Sequence, residues 1–268
     1  MPDASPSDGS PVDDEAAIER AAASLRAAAD VVAFTGAGIS TESGVPDFRS
    51  PGGVWDRFDP RDFTIDALRE DPVGYWERRL EARDALDLDW DTVEPNPAHE
   101  AIATLERAGG LSAVVTQNVD GLHQAAGTDP DRVHELHGTR TAAKCLGCGQ
   151  RLPLETLESK LDGEALPPTC DDCDGLLKRA TVSFGERLPP DVLSAAEAAV
   201  RRCDCLLVVG SSLTVEPAAS LPRLALRNGA DLVIVNLEET GLEDRAVAVI
   251  HDKAGEVLPE VVDRALGG

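Results

Sequence analysis

Three stretches of the 268-residue chain hold side chains whose types and spacing could do chemistry. Residues 31–50, VVAFTGAGISTESGVPDFRS, begin as an apolar run, break at Gly36-Ala37-Gly38 and continue into polar residues able to open a helix. A strand, a Gly-x-Gly turn and a helix N-terminus make a seat for a diphosphate. Glycine lets the backbone come close, and free N–H groups with the helix dipole favour anionic oxygens. The usual dinucleotide fingerprint wants a third glycine three residues beyond the second. That place is Thr41 here, and the next glycine is Gly44. Gly-x-Gly after a strand also serves ordinary tight turns. Glu42, Pro46, Asp47, Phe48 and Arg49 make the tail too varied and polar for a mere reversal.

The second stretch holds two C-x-x-C pairs, Cys145 with Cys148 and Cys170 with Cys173, separated by 21 residues. Each pair can present two thiolates from one tight turn, and two such turns complete a tetrahedral Zn2+ site. Disulfides belong to oxidising compartments, and a redox C-x-x-C does not need a twin. Structural zinc is the expected occupant. Four thiolates leave no open coordination position, so the metal holds the fold and activates no water. Cys203 and Cys205 have the wrong spacing for a zinc turn and read as packing residues.

The third stretch is Gln117-Asn118-Val119-Asp120-Gly121-Leu122-His123, followed shortly by Glu135-Leu136-His137-Gly138-Thr139. Two carboxamides, a carboxylate and a histidine at strand ends could face the turn at 36–38 across one crevice. Among the five histidines, His137, set before a glycine and just ahead of the cysteine pairs, is the expected catalytic one.

The pattern predicts strands at 31–35, 113–116, 181–184, 205–209, 232–236 and 246–250. Helical patterns lie at 15–30, 97–108, 190–202, 217–228 and 254–266. Such alternation argues for an α/β fold with a parallel sheet covered on both faces. Several strands stop where glycine or polar residues begin: Thr35-Gly36, Thr116-Gln117, Val209-Gly210 and Val235-Asn236. In an open α/β sheet these carboxyl ends share one crevice, where ligands bind. Residues 139–178 break the alternation and hold four of the six cysteines.

The length suits one large domain or a large and a small one. No apolar run approaches the ~20 residues of a bilayer span, so no membrane role is expected. Residues 1–14 are acidic and lack the basic and apolar sections of a signal peptide; a disordered leader is expected there. The chain carries 49 acidic against 25 basic residues, a net charge of −24, and only four of the basic residues are lysines. A protein this acidic repels phosphate backbones, which argues against direct nucleic-acid binding. Acid scattered along the chain with scarce lysine suits a surface solvated at high salt, where self-repulsion is screened. A halophilic source and a cytoplasmic location are the expectation.

Taken together, GAGISTESGVPDFR (36–49), TQNVDGLH (116–123), LHGT (136–139), the two C-x-x-C pairs, SFGE (183–186), GSSLTVEPAA (210–219) and VNLEET (235–240) resemble the sirtuins, NAD-dependent protein deacylases. The segments occur in that family's order, from about residue 15 to 265. The resemblance implies a Rossmann-like parallel sheet domain (15–138 and 179–268) with a smaller inserted zinc-binding domain, whose four-cysteine module is 139–178. NAD and acyl-lysine would enter the cleft between them.

By the same resemblance, Gly36, Ala37 and Gly38 would hold the diphosphate. Ile39, Glu42 and Trp55 would belong to the same cofactor site. Asp47, Phe48 and Arg49 would lie in a mobile cofactor loop, with Phe48 shielding the reacting ribose carbon. Gln117 and Asn118 would contact the nicotinamide-side ribose and Asp120 the nicotinamide amide pocket, with Val119 in the same cofactor site. Gly210, Ser211 and Ser212 would cradle phosphate or the adenosine ribose. Asn236, Leu237, Glu238 and Ala254 would frame the adenosine. Val182, Ser183, Phe184, Gly185 and Glu186 would pair as a strand with the substrate peptide, a mode that reads main chain more than sequence.

The implied reaction transfers the acetyl group of a modified lysine to ADP-ribose and releases nicotinamide. The acyl oxygen attacks the ribose carbon through an oxocarbenium-like transition state. His137 then acts as general base on a ribose hydroxyl, and Asn118 shares the catalytic site. Water must be kept from the cation, since hydrolysis of NAD is the competing waste. Acetyl-lysine-bearing proteins, chromatin or DNA-binding proteins among them, are the expected partners.

The sequence also departs from the family. Lys178-Arg179-Ala180-Thr181-Val182-Ser183 stands where an Arg-Pro and a bulky residue are common, which bears on peptide preference. Tyr75 with Arg78 resembles in type the acidic-acyl pocket of some members but falls early, and Arg78 and Arg79 read as a solvated helix face. Another acyl group and mono-ADP-ribosyl transfer remain alternatives within the same constellation. A non-catalytic NAD-binding module would tolerate loss of His137 or Asn118, and both are present. The glycine spacing and the PDFR tail speak against hydride transfer.

Overall fold

The computed structural model describes residues 11–50, 52–163 and 166–268. Its strands are β1 (Val31–Thr35), β2 (Leu111–Thr116), β3 (Val133–Glu135), β4 (Gly138–Cys145), β5 (Arg151–Pro153), β6 (Leu177–Thr181), β7 (Cys205–Val209), β8 (Asp231–Val235) and β9 (Ala248–Ile250). The α-helices are α1 (Pro11–Ala27), α2 (Val54–Arg57), α3 (Ile65–Glu70), α4 (Pro72–Leu86), α5 (Pro97–Arg107), α6 (Leu122–Ala125), α7 (Leu154–Asp162), α8 (Pro190–Arg202), α9 (Ser220–Arg227) and α10 (Ala254–Leu266).

Six strands form one sheet in the order β3-β2-β1-β7-β8-β9, and every neighbouring pair is parallel. β1 and β7 are buried at every position, which is why they read as continuous apolar runs. Alternate residues take opposite faces. Val31, Ala33, Leu207 and Val233 pack with α1, α5 and α10; Val32, Phe34, Leu206 and Ile234 pack with α8 and α9. The strand order is that of a Rossmann-like sheet, and it reverses between β1 and β7. Among the described residues, no helix is long and apolar enough to cross a membrane.

A second, antiparallel sheet has the order β5-β4-β6. Ala143, Cys145 and Leu177 from its strands pack with Leu157 of α7 and with Ile65, Leu68, Tyr75 and Trp76 of α3 and α4. The core of this smaller layer thus draws on residues well outside 139–178.

The structure corrects three expectations. The helix expected from residue 15 begins at Pro11, so residues 11–14 of the expected leader are helical; residues 1–10 lie outside the described residues. The run at 181–184 is not a strand, because β6 ends at Thr181. The Ser183 N–H beyond it donates to the Glu186 carboxylate (2.7 Å), and the Phe184 carbonyl accepts from the Ile65 N–H (2.9 Å), so neither continues a ladder. The polar run after Gly38 forms a 3-10 helix (Ala37–Ser43) instead of an α-helix.

The glycine loops after β1 and β7 interlock. Gly36 N–H donates to the Val209 carbonyl (3.1 Å) and Gly38 N–H to the Gly210 carbonyl (2.9 Å). Gly210 has φ +61°, and a Cβ there would stand 2.1 Å from the Ile39 nitrogen. Left-handed backbone and lack of space together demand glycine. Gly210→Ala should lower stability by about 2 kcal/mol or more, read as a shifted urea midpoint. An unchanged midpoint would contradict this packing.

Candidate functional site

The carboxyl ends of β1, β2, β7 and β8 open onto one cavity of about 1040 Å3, bounded on its other side by the small sheet, α4 and α7. Gly36, Ala37, Gly38 and Glu42 line it from the first loop, and Gly210, Ser211 and Ser212 from the loop after β7. Asp47, Phe48, Arg49 and Trp55 form one wall; Gln117, Asn118, Val119, Asp120 and His137 form another. Asn236, Leu237, Glu238 and Ala254 close one end, and residues 182–186 border the mouth.

Ile39 is the exception among the expected cofactor residues. It is fully buried in the core and does not reach the cavity, because the 3-10 turn points it back toward the sheet. The glycine loop differs from expectation in another respect. The N–H groups of Gly36 and Gly38 are already bonded to Val209 and Gly210, so these residues chiefly permit close approach of two loops.

Each side chain of the polar wall is held by its neighbours. His137 Nδ1 lies 2.9 Å from the Gln117 carbonyl. A carbonyl only accepts, so Nδ1 carries the hydrogen and Nε2 keeps its lone pair. Burial lowers the His137 pKa below its ordinary value, partly opposed by the Gln117 carbonyl. The ring is therefore neutral and basic at pH 7. Gln117 Nε2 donates to Ser211 Oγ (2.7 Å), tying the β2 end to the β7 loop.

Beneath this lies a buried network. Asn118 Nδ2 donates to Ser40 Oγ (3.1 Å), and Ser40 Oγ donates to Asp120 Oδ2 (2.8 Å). Asp120 Oδ1 accepts from the Leu122 N–H (3.0 Å), which fixes the carboxylate at the start of α6. His99 Nε2 is 3.4 Å from Ser40 Oγ, and its Nδ1 accepts from the Asn96 N–H in the cap of α5. His123 Nε2 meets Thr35 Oγ1 at 2.9 Å. Burial drives the His99 pKa down to about 4 and that of His123 to about 3, so both rings stay neutral. The result is a layer of neutral donors around one carboxylate, a setting that can orient an amide and face a developing cation.

Ser40 carries no mark of its own in the sequence, although it lies inside the GAGISTES run. Nothing in that run signals that its hydroxyl reaches a carboxylate 80 positions away. Arg79 also lines the cavity, its guanidinium over the Phe63 and Tyr75 rings, so it is not part of a solvated face. Arg78 instead pairs with Asp62 and Asp71.

The mouth is built on an ion pair. Lys178 Nζ, on a side chain only 2% exposed, donates to Glu186 Oε2 and to the Thr181 carbonyl, both at 2.6 Å. Burial lowers the Lys178 pKa despite its partner. Burial alone would raise Glu186, but Lys178 and the Ser183 N–H outweigh it and hold the carboxyl below its usual range. The contacts of this pair with the Thr181 carbonyl and the Ser183 N–H fix the turn from 181 to 186. Glu42 caps α10 through the Gly255 N–H (2.7 Å), and Asn236 Nδ2 bonds the Glu238 carbonyl (2.6 Å).

At the far end of β4, the ligand atoms of Cys145, Cys148, Cys170 and Cys173 lie within 4.8 Å of one another. Cys145 and Cys173 sulfurs are 3.5 Å apart, close to the roughly 3.8 Å edge of a tetrahedron with ~2.3 Å Zn–S bonds. The Cys148 and Gly147 N–H groups point at Cys145 Sγ. The Cys148 N–H is the main cause that pulls the Cys145 pKa down to about 6, favouring the thiolate. A Cβ on Gly175 would stand 2.9 Å from that sulfur, so the knuckle has no room for one. These four residues fit a closed structural zinc site.

A Rossmann-like sheet, a cysteine-knuckled small sheet and a polar cleft between them define a nucleotide-dependent enzyme fold of one class. The Sir2 family profile matches residues 36–217. A Haloarcula marismortui protein described as an NAD-dependent protein deacetylase is 46% identical over 248 residues, 92% of this chain and 94% of its own. A solved chain reported under "Structural Basis for the Mechanism and Regulation of Sir2 Enzymes" superposes with a TM-score of 0.83 at 42% identity, covering 94% of this chain and 98% of that one. Another, "Sir2-p53 peptide-NAD+", gives a TM-score of 0.79 at 38% identity, with 89% and 94% coverage. This chain belongs to the Sir2 family.

The zinc assignment is checked by metal analysis. Wild-type protein should hold one Zn2+ per chain, and Cys145→Ser should lose it together with a clear drop in melting temperature. A folded wild-type protein that never held zinc would contradict the assignment.

Proposed function

We propose that this protein is an NAD-dependent protein-lysine deacetylase that transfers the acetyl group to ADP-ribose and releases nicotinamide. The observation that carries the reading is the His137–Gln117 bond, which presents a neutral Nε2 at the cavity beside Asn118 and Asp120. Membership of the Sir2 family and the peptide and NAD+ named for a solved relative support the same reaction.

In this reading Asn118 and Asp120, braced by Ser40, orient the nicotinamide end, and His137 Nε2 takes a proton from a ribose hydroxyl. Gly36, Ala37, Gly38, Gly210, Ser211 and Ser212 accommodate the diphosphate and nearby ribose. Asn236, Leu237, Glu238 and Ala254 frame the adenosine, Asp47, Phe48 and Arg49 cover the reacting centre, and Glu42 and Trp55 belong to the same cofactor site. The peptide lies along 182–186, where β6 has ended. The domain carrying NAD is 15–138 with 179–268, apart from α3 and α4, whose buried side chains pack with the small sheet, and 139–178 is the zinc module. The cytoplasm of a salt-loving organism is the setting the −24 charge favours, with acetyl-lysine on basic chromatin or DNA-binding proteins as substrate.

Mass spectrometry of an acetyl-lysine peptide at high salt, with and without NAD, tests the reading. Equimolar nicotinamide, acetyl-ADP-ribose and free lysine are expected. His137→Ala should be slower by about a hundredfold or more. Because burial depresses the His137 pKa, protonation stops the base only below its ordinary 6.5, and the acid limb of kcat/KM should fall under that value. Intact NAD with every acyl peptide would refute the reading.

A further inference from the structure

We propose that His123, which does not line the cavity, is a positioning residue: it directs a buried hydroxyl relay that sets where Asn118 enters the cleft. This rests on the deacetylase reading only for the role given to Asn118.

Thr35 and Thr116 end β1 and β2, stand opposite each other in register and are buried. The Thr35 hydroxyl donates to Thr116 Oγ1 (2.8 Å), which also accepts from the Asn118 N–H (3.0 Å). That second bond turns the chain out of β2 and into the cavity. The Thr116 carbonyl accepts from the Leu136 N–H (2.9 Å), next to His137, and the Thr35 carbonyl from the Gln117 N–H (3.0 Å). Gln117, Asn118 and His137 thus all stand on these two threonines.

A hydroxyl has one hydrogen to give. With that of Thr35 given to Thr116, the 2.9 Å contact with His123 Nε2 requires the ring to donate. The tautomer is then Nε2–H with its lone pair at Nδ1, and Nδ1 is buried without a partner. The opposite tautomer would bury an unmet N–H and draw the Thr35 hydrogen away from Thr116; an unmet donor is the rarer defect. Burial pushes the His123 pKa down to about 3, and the His99 ring, edge-on at 5.1 Å, adds to the effect, so the ring stays neutral. His123 is 1% exposed, and a phenylalanine would fill the same place and leave no unmet atom. Packing therefore does not account for an imidazole here. The bond from Nε2–H to Thr35 does.

His99 holds the other side of the same residue. Its Nδ1 accepts from the Asn96 N–H, so its Nε2–H points at Ser40 Oγ, which receives the Asn118 amide. Two neutral rings thus brace Asn118, His123 through the main chain and His99 through the side chain.

Two substitutions separate donation from volume. His123→Gln places an amide N–H near the Nε2 position, and His123→Phe fills the space without a donor. Per folded enzyme, His123→Phe should lower kcat by about tenfold or more with the KM for peptide unchanged, and His123→Gln should restore most of it. NAD affinity without peptide, measured by calorimetry, should weaken and recover in the same order. Long-range nitrogen–proton NMR of histidine-labelled wild-type protein should show His123 as the Nε2–H tautomer, unchanged down to about pH 5. An Nδ1–H tautomer, a ring that protonates above that pH, full activity in His123→Phe, or a His123→Gln variant no better than His123→Phe would overturn the proposal. If the NAD affinities follow the stated order but wild-type protein removes no acyl group, the deacetylase reading falls and the positioning role stands.

Discussion

The site depends on a hydrogen-bond ladder that runs one residue past the strands. Gln117 N–H donates to Thr35, Gly36 N–H to Val209, Gly210 N–H to Val235 and Asn236 N–H to Ile250, at 3.0 to 3.1 Å. The first residue beyond each of four strands is thus still held in sheet register. Side chains there stand on the most rigid part of the molecule yet face the cavity. Asn118 follows Gln117 directly and His137 is bonded to the Gln117 carbonyl, so both are placed by a residue of that ladder, as proton transfer needs. The reversal of strand order between β1 and β7 leaves the gap above that ladder, and Gly210 lets the two loops meet there without closing it.

Charge is used sparingly inside an acidic protein. Around the polar wall of the cleft, His99, His123 and His137 are neutral through burial, and Asp120 is the carboxylate they surround. A cationic transition state next to extra positive charge would be disfavoured, so neutral rings are the better neighbours. The buried Lys178–Glu186 pair serves a different end. It fixes the turn at 181–186, where β6 has ended. Acidic side chains are spread over the exterior, where solvent and salt screen them.

Much of this was legible in the sequence wherever a local pattern dictated the structure. The runs at 31–35 and 205–209 are strands with the same bounds, because strands buried on both faces must be apolar throughout. The helices at 190–202 and 254–266 also carry their own stripe and bounds. The cysteine knuckles were legible because ligand spacing is a local property. What escaped depended on distant partners. The strand expected at 181–184 failed because Glu186 and Ile65 claimed its backbone groups. Helices α3 and α4 are charged along much of their length, and only contact with the small sheet buries Tyr75 and Trp76. Ser40 shows the same limit: its partner Asp120 is far away in sequence. Ile39 sits within a motif of site residues but turns into the core.

A crystal structure with an unreactive NAD analogue and an acetyl-lysine peptide would test the central arrangement most directly. The diphosphate should span the junction of Gly36–Gly38 with Gly210, and His137 Nε2 should stand within about 3.2 Å of a hydroxyl of the nicotinamide ribose. A diphosphate bound away from that junction, or a ribose out of reach of His137, would contradict the arrangement.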